Sequence, residues 1–185
     1  MAGIGFELQK SLDRRTYTAY LSAAQHLFQR HGKAIDPWLT LVGYFNSMRE
    51  LGGMRRATED AVRTRLQRMP ERGLARRYLD SSVEELTSRK SATDIPLILD
   101  RLEAVFDPAL EAERKAKRKA GQATDFARYP IDVLLATNMI SVGVDVPRLG
   151  LMAVASQPKT TAEYIQATSR IGRQSPGLVC VVYNW

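Results

Sequence analysis

One cysteine, Cys180, and two histidines, His26 and His31, are all the chain has of the residues that build disulfides and zinc sites. An internal disulfide is therefore excluded. With no C-x-x-C pair, a zinc site has no ligand pattern to rest on. Cys180 sits in L-V-C-V-V, where it reads as a small core hydrophobe. No apolar run approaches the ~20 residues that span a bilayer. The N-terminus M-A-G-I-G-F-E-L-Q has no basic start followed by an apolar run, so no signal peptide is visible. The expectation is a cytoplasmic protein with no membrane partner. Two further patterns are missing. There is no G-x-x-x-x-G-K-[ST]; the only Gly-Lys is Gly32-Lys33, followed by Ala34. No Asp-Glu follows an apolar strand, and Glu59-Asp60 sits in a polar helical stretch. A phosphate-cradling loop and magnesium-holding carboxylates are thus absent from this sequence.

What is present describes an ordinary soluble domain. Of 185 residues, 44% are hydrophobic and 25% charged, which is too apolar for wholesale disorder. A chain of this length buries roughly 70% of its unfolded surface without staples. Basic residues outnumber acidic ones by 27 to 20, giving a net charge of +7. That balance favours a polyanion partner such as nucleic acid.

Helical and strand periodicities alternate along the chain. Tyr17, Tyr20, Leu21, Ala24, Leu27 and Phe28 recur at helical spacing, and Gly32 can take the left-handed cap. Trp38 to Phe45 is an apolar run without alternation, as in a strand buried on both faces. Residues 47–69 read as helical after a break at Gly52-Gly53, and a second short helix is expected from Glu71 to Leu79 beyond Pro70. Val83 to Ser88 reads as a short strand. Ser91 to Asp94 opens a helix whose stripe runs from Ile95 to Phe106. Residues 107–129 hold almost no large apolar side chain and read as an exposed basic insertion, helical first and a loop from Gly121 to Pro130. Strands follow at Ile131–Ala136, Leu149–Ala155 and Leu178–Tyr183, with a helix at Thr161–Ser169 capped by Thr160 or Thr161. Such alternation implies a parallel sheet with right-handed crossovers. Residues 1–37 form a helical lead-in and 38–185 one α/β domain. The chain stops at Trp185 directly after an apolar strand, which reads as a piece of a longer protein.

The chemistry concentrates in residues 131–173. Ligands of open α/β sheets sit beyond the carboxyl ends of the strands. There, the Thr137 hydroxyl can bond a phosphate, Gly143 allows close backbone approach, and Asp145 suits a ribose hydroxyl. A plain strand connection is the bland alternative. Arg170 and Arg173, three apart, share a face on a helix. Two guanidiniums so placed can grip a triphosphate and stabilise charge on a transferring phosphoryl group. A solvated basic helix end explains them equally well in isolation.

Taken together, T-N-x-x-S-x-G-V-D-V-P and Q-x-x-S-R-x-G-R, with a strand between them, resemble motifs V and VI of superfamily two helicases. Y-I-Q-A-T-S-R-I-G-R is similar to that family's Y-I-Q-R-x-G-R-x-G-R. Gln166, Arg170, Gly172 and Arg173 fall on the family's Gln, first Arg, second Gly and arginine finger. Ser169 replaces the first Gly and Ala167 a frequent Arg, leaving both phosphate-facing arginines intact. Leu39–Phe45 with Asn46-Ser47 is similar to motif IV. E-L-T-S-R, L-L-A-T-N-M-I-S-V-G-V-D-V-P-R-L-G-L-M and Q-P-K-T-T-A-E-Y-I-Q-A-T-S-R-I-G-R look like the helicase subunit of the DISARM phage-defence systems and its relatives. The resemblance implies a three-layer RecA-like α/β domain with a central, mostly parallel sheet, the second of two motor domains. It implies catalytic roles for Arg173 and Arg170, and nucleotide contacts from Gly143, Asp145 and Gln166. ATP and Mg2+ would then be held mainly by a first RecA-like domain, the implied partner. Nucleic acid, DNA favoured, would be contacted by Thr137 and Asn138. Ser88 and Arg89 join them, ending a strand before a helix N-terminus, in a region where the family places backbone contacts. A non-enzymatic binding module and an RNA helicase motor are the other readings.

Two basic tracts remain. Residues 49–77 hold nine Arg against four acids, and Arg65, Arg68, Arg72 and Arg76 have helical spacing. A solvated face is the favoured reading and contact with a nucleic-acid strand the other. In Arg114 to Lys119, Glu111 and Glu113 stand at i,i+4 from Lys115 and Lys117, which favours a solvated helix.

Overall fold

The computed structural model describes residues 2–79, 82–122, 128–138, 145–156 and 158–183, with side chains from Asp13 onward. Five parallel strands form one sheet: β1 (Leu41–Phe45), β2 (Val83–Leu86), β3 (Val133–Ala136), β4 (Leu151–Ala155) and β5 (Leu178–Val182). Their order is β2-β3-β1-β4-β5. Leu41 of β1 registers with Val133 on one side and Leu151 on the other.

Every residue of β1, β3 and β4 is buried, because the pleat sends alternate side chains into two separate cores. Leu41, Phe45, Val133, Leu135, Leu151 and Ala153 face one side. They meet α1 (Ala2–His31) through Tyr17 and Leu21, α3 (Met48–Ala57) through Leu51 and Met54, and α4 (Arg63–Arg68) through Leu66. Val42, Tyr44, Leu134, Ala136, Met152 and Val154 face the other side. They meet α5 (Asp94–Glu103) through Ile98 and Leu102, and α7 (Thr161–Thr168) through Ala167. The result is the three-layer α/β architecture that the resemblance implies, with a sheet that is parallel throughout. Gly43 admits the closest approach of α1: a Cβ there would run into the Tyr17 hydroxyl.

Several local expectations are corrected. Gly52-Gly53 does not break a helix. Ser47 caps α3 by accepting from the Glu50 amide at 3.3 Å, and Leu51 and Met54 anchor it on the core. A π-helical turn, Thr58–Val62, joins α3 to α4. The expected helix from Glu71 to Leu79 is absent. A 3-10 turn, Met69–Arg72, ends at Gly73 in the left-handed region with φ 75°. The chain then runs irregularly with Ala75, Arg77 and Leu79 buried and Arg76 exposed, an alternation of period two. The α5 helix stops at Glu103, because the Phe106 amide donates to Asp36 Oδ1 at 2.7 Å and the ring joins Ala24, Phe28 and Leu39. Trp38 belongs to a short helix, α2 (Asp36–Leu39), and not to β1. β5 is an edge strand and is only partly covered, Cys180 included.

The basic insertion is not simply exposed. Its helix, α6 (Pro108–Lys119), buries Arg114, whose Nη2 lies 3.2 Å from Asp132 Oδ2. Arg77 Nη2 lies 2.5 Å from Asp132 Oδ1 and donates to the Leu39 carbonyl at 2.6 Å. The amino end of β3 is thus tied to α6 and to the segment after α4. A second buried cation works nearby. Arg148 bonds Asp36 Oδ1 at 3.2 Å, Thr40 Oγ1 at 2.8 Å and the Leu102 carbonyl at 2.5 Å. Of the two pairs expected along α6, Glu113 does meet Lys117, at 2.7 Å, while Glu111 faces Arg114 at 4.0 Å.

Candidate functional site

The residues expected to carry function separate into two groups. Ser88, Thr137 and Asn138 line a cleft of about 250 Å³ at the carboxyl ends of β1, β2 and β3. Each reaches it for a local reason. Ser88 follows β2, and the two residues after Ala136 carry β3 straight into the cleft. Asn46, Ser47 and Met48 supply the wall after β1, and Lys159 and Glu163 the wall before and within α7. Thr160 caps α7, its side chain accepting from the Glu163 amide at 3.2 Å. Thr137 is nearly buried while Ser88 and Asn138 are exposed. Arg89 does not line this cleft; its amide turns back to Thr87 Oγ1 at 3.4 Å.

Lys159 was not legible as a site residue from composition. Its signal was positional: it stands directly before the Thr160 cap, in the loop leaving β4. Asn46 and Ser47 carried a signal only through their likeness to a motif. The wall so formed has hydroxyl, amide and ammonium groups and one carboxylate. Such groups suit phosphate oxygens.

Asp145 and Arg173 form the second group. They lie 28 residues apart in sequence and join in an exposed ion pair through Asp145 Oδ1 and Arg173 Nη1. Arg173 is not on a helix with Arg170. The α7 helix ends at Thr168, and the following turn is set by Gly172, whose φ is 82°. A Cβ on Gly172 would also sit 2.8 Å from the Gly177 amide nitrogen, so glycine is required twice over. The Gly172 amide donates to the Leu149 carbonyl at 2.9 Å, which places this turn beside the amino end of β4. Arg173 Nε reaches the Ser169 carbonyl at 3.4 Å. Arg170 is half-buried and Gln166 lies exposed on α7. Gly143 lies outside the described residues.

Arg173 and Asp145 keep 37% and 66% of their side-chain surface in solvent. A pair held that loosely contributes about 0–1 kcal/mol, so either partner can be taken over by a ligand.

Residues 87–175 match the helicase conserved C-terminal domain. By that match, this stretch belongs to the helicase C-terminal family. The match takes in Ser88, Arg89, Thr137, Asp145, Arg170 and Arg173. Over 179 residues the chain is 44% identical to the DISARM protein DrmA of Bacillus paralicheniformis, covering 95% of this chain and 14% of that protein. It is 29% identical over 73 residues to Nucleolar RNA helicase 2-A of Xenopus laevis, 40% of this chain and 10% of that protein. A solved structure of the Pyrococcus furiosus Hef helicase domain superposes with a TM-score of 0.46 at 16% identity, over 95% of this chain and 26% of that one. The chain therefore spans a small part of each protein it matches.

Proposed function

We propose that this domain is the second motor half of an ATP-dependent nucleic-acid helicase or translocase, acting on DNA. The observation that supports this reading is the cleft at the strand ends, where Ser88, Thr137 and Asn138 converge with Lys159. Its polar wall fits a phosphodiester backbone and makes binding independent of sequence. DNA is favoured over RNA because the sequence is similar to a phage-defence subunit.

The nucleotide side of the reading rests on Arg173, Arg170, Asp145 and Gln166. ATP and Mg2+ would be held mainly by a first RecA-like domain, since this chain lacks the phosphate loop and the paired acids. The residues present fit an accessory role: the Arg173 guanidinium is exposed and weakly held. When bound, ATP supplies the phosphoryl group on which negative charge develops. Arg173 would leave Asp145 and place its planar fork against that charge. Asp145, once released, would accept from a ribose hydroxyl. Arg170 would hold ground-state phosphate, and Gln166 would orient from α7. By this account the chain alone turns over no ATP, and steady-state turnover above the blank in a rigorously purified sample would contradict it.

The nucleic-acid arm is tested by fluorescence anisotropy with a labelled single strand. The 185-residue chain should bind with a Kd on the order of 10⁻⁴–10⁻⁶ M that weakens as salt rises. Lys159→Ala and Thr137→Val should each weaken binding several-fold. Unchanged affinity in both folded variants would remove the cleft from the account.

A further inference from the structure

We propose a second phosphate-binding surface on the helical layer of α1, α3 and α4, in the cleft between α1 and the α4 segment, which holds the backbone of the same nucleic acid outside the strand-end cleft. This cleft, about 620 Å³, is lined by Arg15, Thr18 and Ala19 of α1, and by Arg65, Arg68, Met69, Glu71 and Arg72 across from them. It shares no residue with the strand-end cleft.

The local sequence explains the arrangement. Tyr17 and Leu21 bury one stripe of α1 and Leu66 and Met69 one stripe of the facing segment. Arg15, Arg65, Arg68 and Arg72 are left exposed on the facing rims. Ala19, one turn after Arg15, keeps the floor open. Other arginines of this layer are already engaged: Arg55 with Glu59 and Glu85, Arg76 with the Gln67 carbonyl. Arg15, Arg65, Arg68 and Arg72 have no ion pair among the described residues. Glu71 is the single carboxylate of the lining.

Four guanidiniums around one open groove repel one another, and a polyanion removes that repulsion. Arginine is also the cation whose planar fork grips phosphate oxygens two at a time. From Arg65 to Arg72 the helix and its 3-10 extension rise roughly 11 Å. That lets the guanidiniums reach more than one phosphate of the same strand. Among the described residues no aromatic ring lines the groove, so the contact these residues offer is with backbone. A run of repeated anions along one backbone is what a nucleic acid offers.

The test uses the whole chain and a fluorescein-labelled single strand, with salt titration. Arg65→Gln/Arg68→Gln changes only exposed side chains. It should weaken binding about tenfold at low salt and lower the slope of log affinity against log salt by more than 1, given about 0.7 per lost single-strand contact. Lys115→Gln/Lys119→Gln removes the same charge from the exposed face of α6 and should stay within about twofold. Arg15→Gln, on the other wall, should reproduce about half of the double variant's loss. Equal losses from the α6 control would show that only net charge matters and overturn the site. So would unchanged affinity and slope in Arg65→Gln/Arg68→Gln with a wild-type circular dichroism spectrum. Poly-glutamate binding more tightly than the oligonucleotide at equal charge would overturn the choice of nucleic acid in favour of an acidic protein. Failure of Lys159→Ala to weaken binding would strike the strand-end cleft alone and leave this proposal standing.

Discussion

Asp132 and Asp145 both hold arginine, and the two systems differ chiefly in burial. Asp132 is 1% exposed at the amino end of β3, with Arg77 on one oxygen and Arg114 on the other. Asp145 is exposed and, among the described residues, is paired with Arg173 alone. Water sets the consequence. Removing ions from water costs several kcal/mol each, so a buried pair that loses a partner leaves an uncompensated charge. An exposed pair can be broken and remade at little cost. The same side chains therefore serve as a permanent lock at one place and as an exchangeable contact at the other. Arg148, buried against Asp36, belongs with the lock. It anchors the segment that follows Asp145 to Asp36, Thr40 and Leu102.

The contrast sharpens when the same substitution is made at both places. Asp132→Ala strands two buried guanidiniums and should lower stability by about 3–5 kcal/mol, read from urea unfolding of the chain. Acid should act in the same direction. Burial pushes the Asp132 carboxyl up, but Arg77 and Arg114 outweigh it and hold it below the ordinary carboxylate value. Its contribution is therefore complete above about pH 3.9 and lost as pH falls through the lower folded value.

A third aspartate breaks the symmetry in the other direction. Asp13 is buried beside Glu50, and burial first, then that carboxylate, pushes it up to about 6. The folded chain then binds a proton that the unfolded chain releases. The stability contributed by this proton is complete below about pH 3.9 and is lost as pH rises through about 6. Asp13→Asn should gain on the order of 2 kcal/mol at neutral pH and little at pH 4. Equal urea midpoints for variant and wild type at neutral pH would show that Asp13 carries no such burden. The smallest effect belongs to Asp145→Ala, expected within about 0.5 kcal/mol of wild type. A midpoint as low as that of Asp132→Ala would abolish the distinction.

Much of this layout was legible. All five expected strands are present; β1, β3 and β4 were the plainest, because residues buried on both faces leave an apolar run without alternation. The turn carrying Arg173 was not legible: the three-residue spacing reads as one helical face with Arg170, whereas α7 ends at Thr168 and Gly172 turns the chain at φ 82°. What was not legible depends on distant partners. The Arg114–Lys119 tract reads as solvated because i,i+4 partners are visible in sequence, whereas Asp132 lies 18 residues away from Arg114. Residues 71–79 read as helical until one sees that Arg77 must reach Asp132 from an extended chain. Lys159 joins its cleft only when the end of β4 is set beside the ends of β1 and β3. The carboxyl-end rule pointed to Thr137, which lines the strand-end cleft. It grouped Asp145 with Thr137, although Asp145 pairs with a turn beside the amino end of β4.

The most direct test of the exchangeable role is the ATPase rate of the full-length protein with Arg173→Ala, measured beside wild type at saturating nucleic acid. An arginine that meets charge developing only in the transition state should lower kcat by on the order of 10³-fold or more, with far less change in KM. Arg173→Lys should not restore it, because an ammonium lacks the planar fork. The folded domain should melt as wild type does. A folded Arg173→Ala protein that keeps the wild-type kcat would contradict the account.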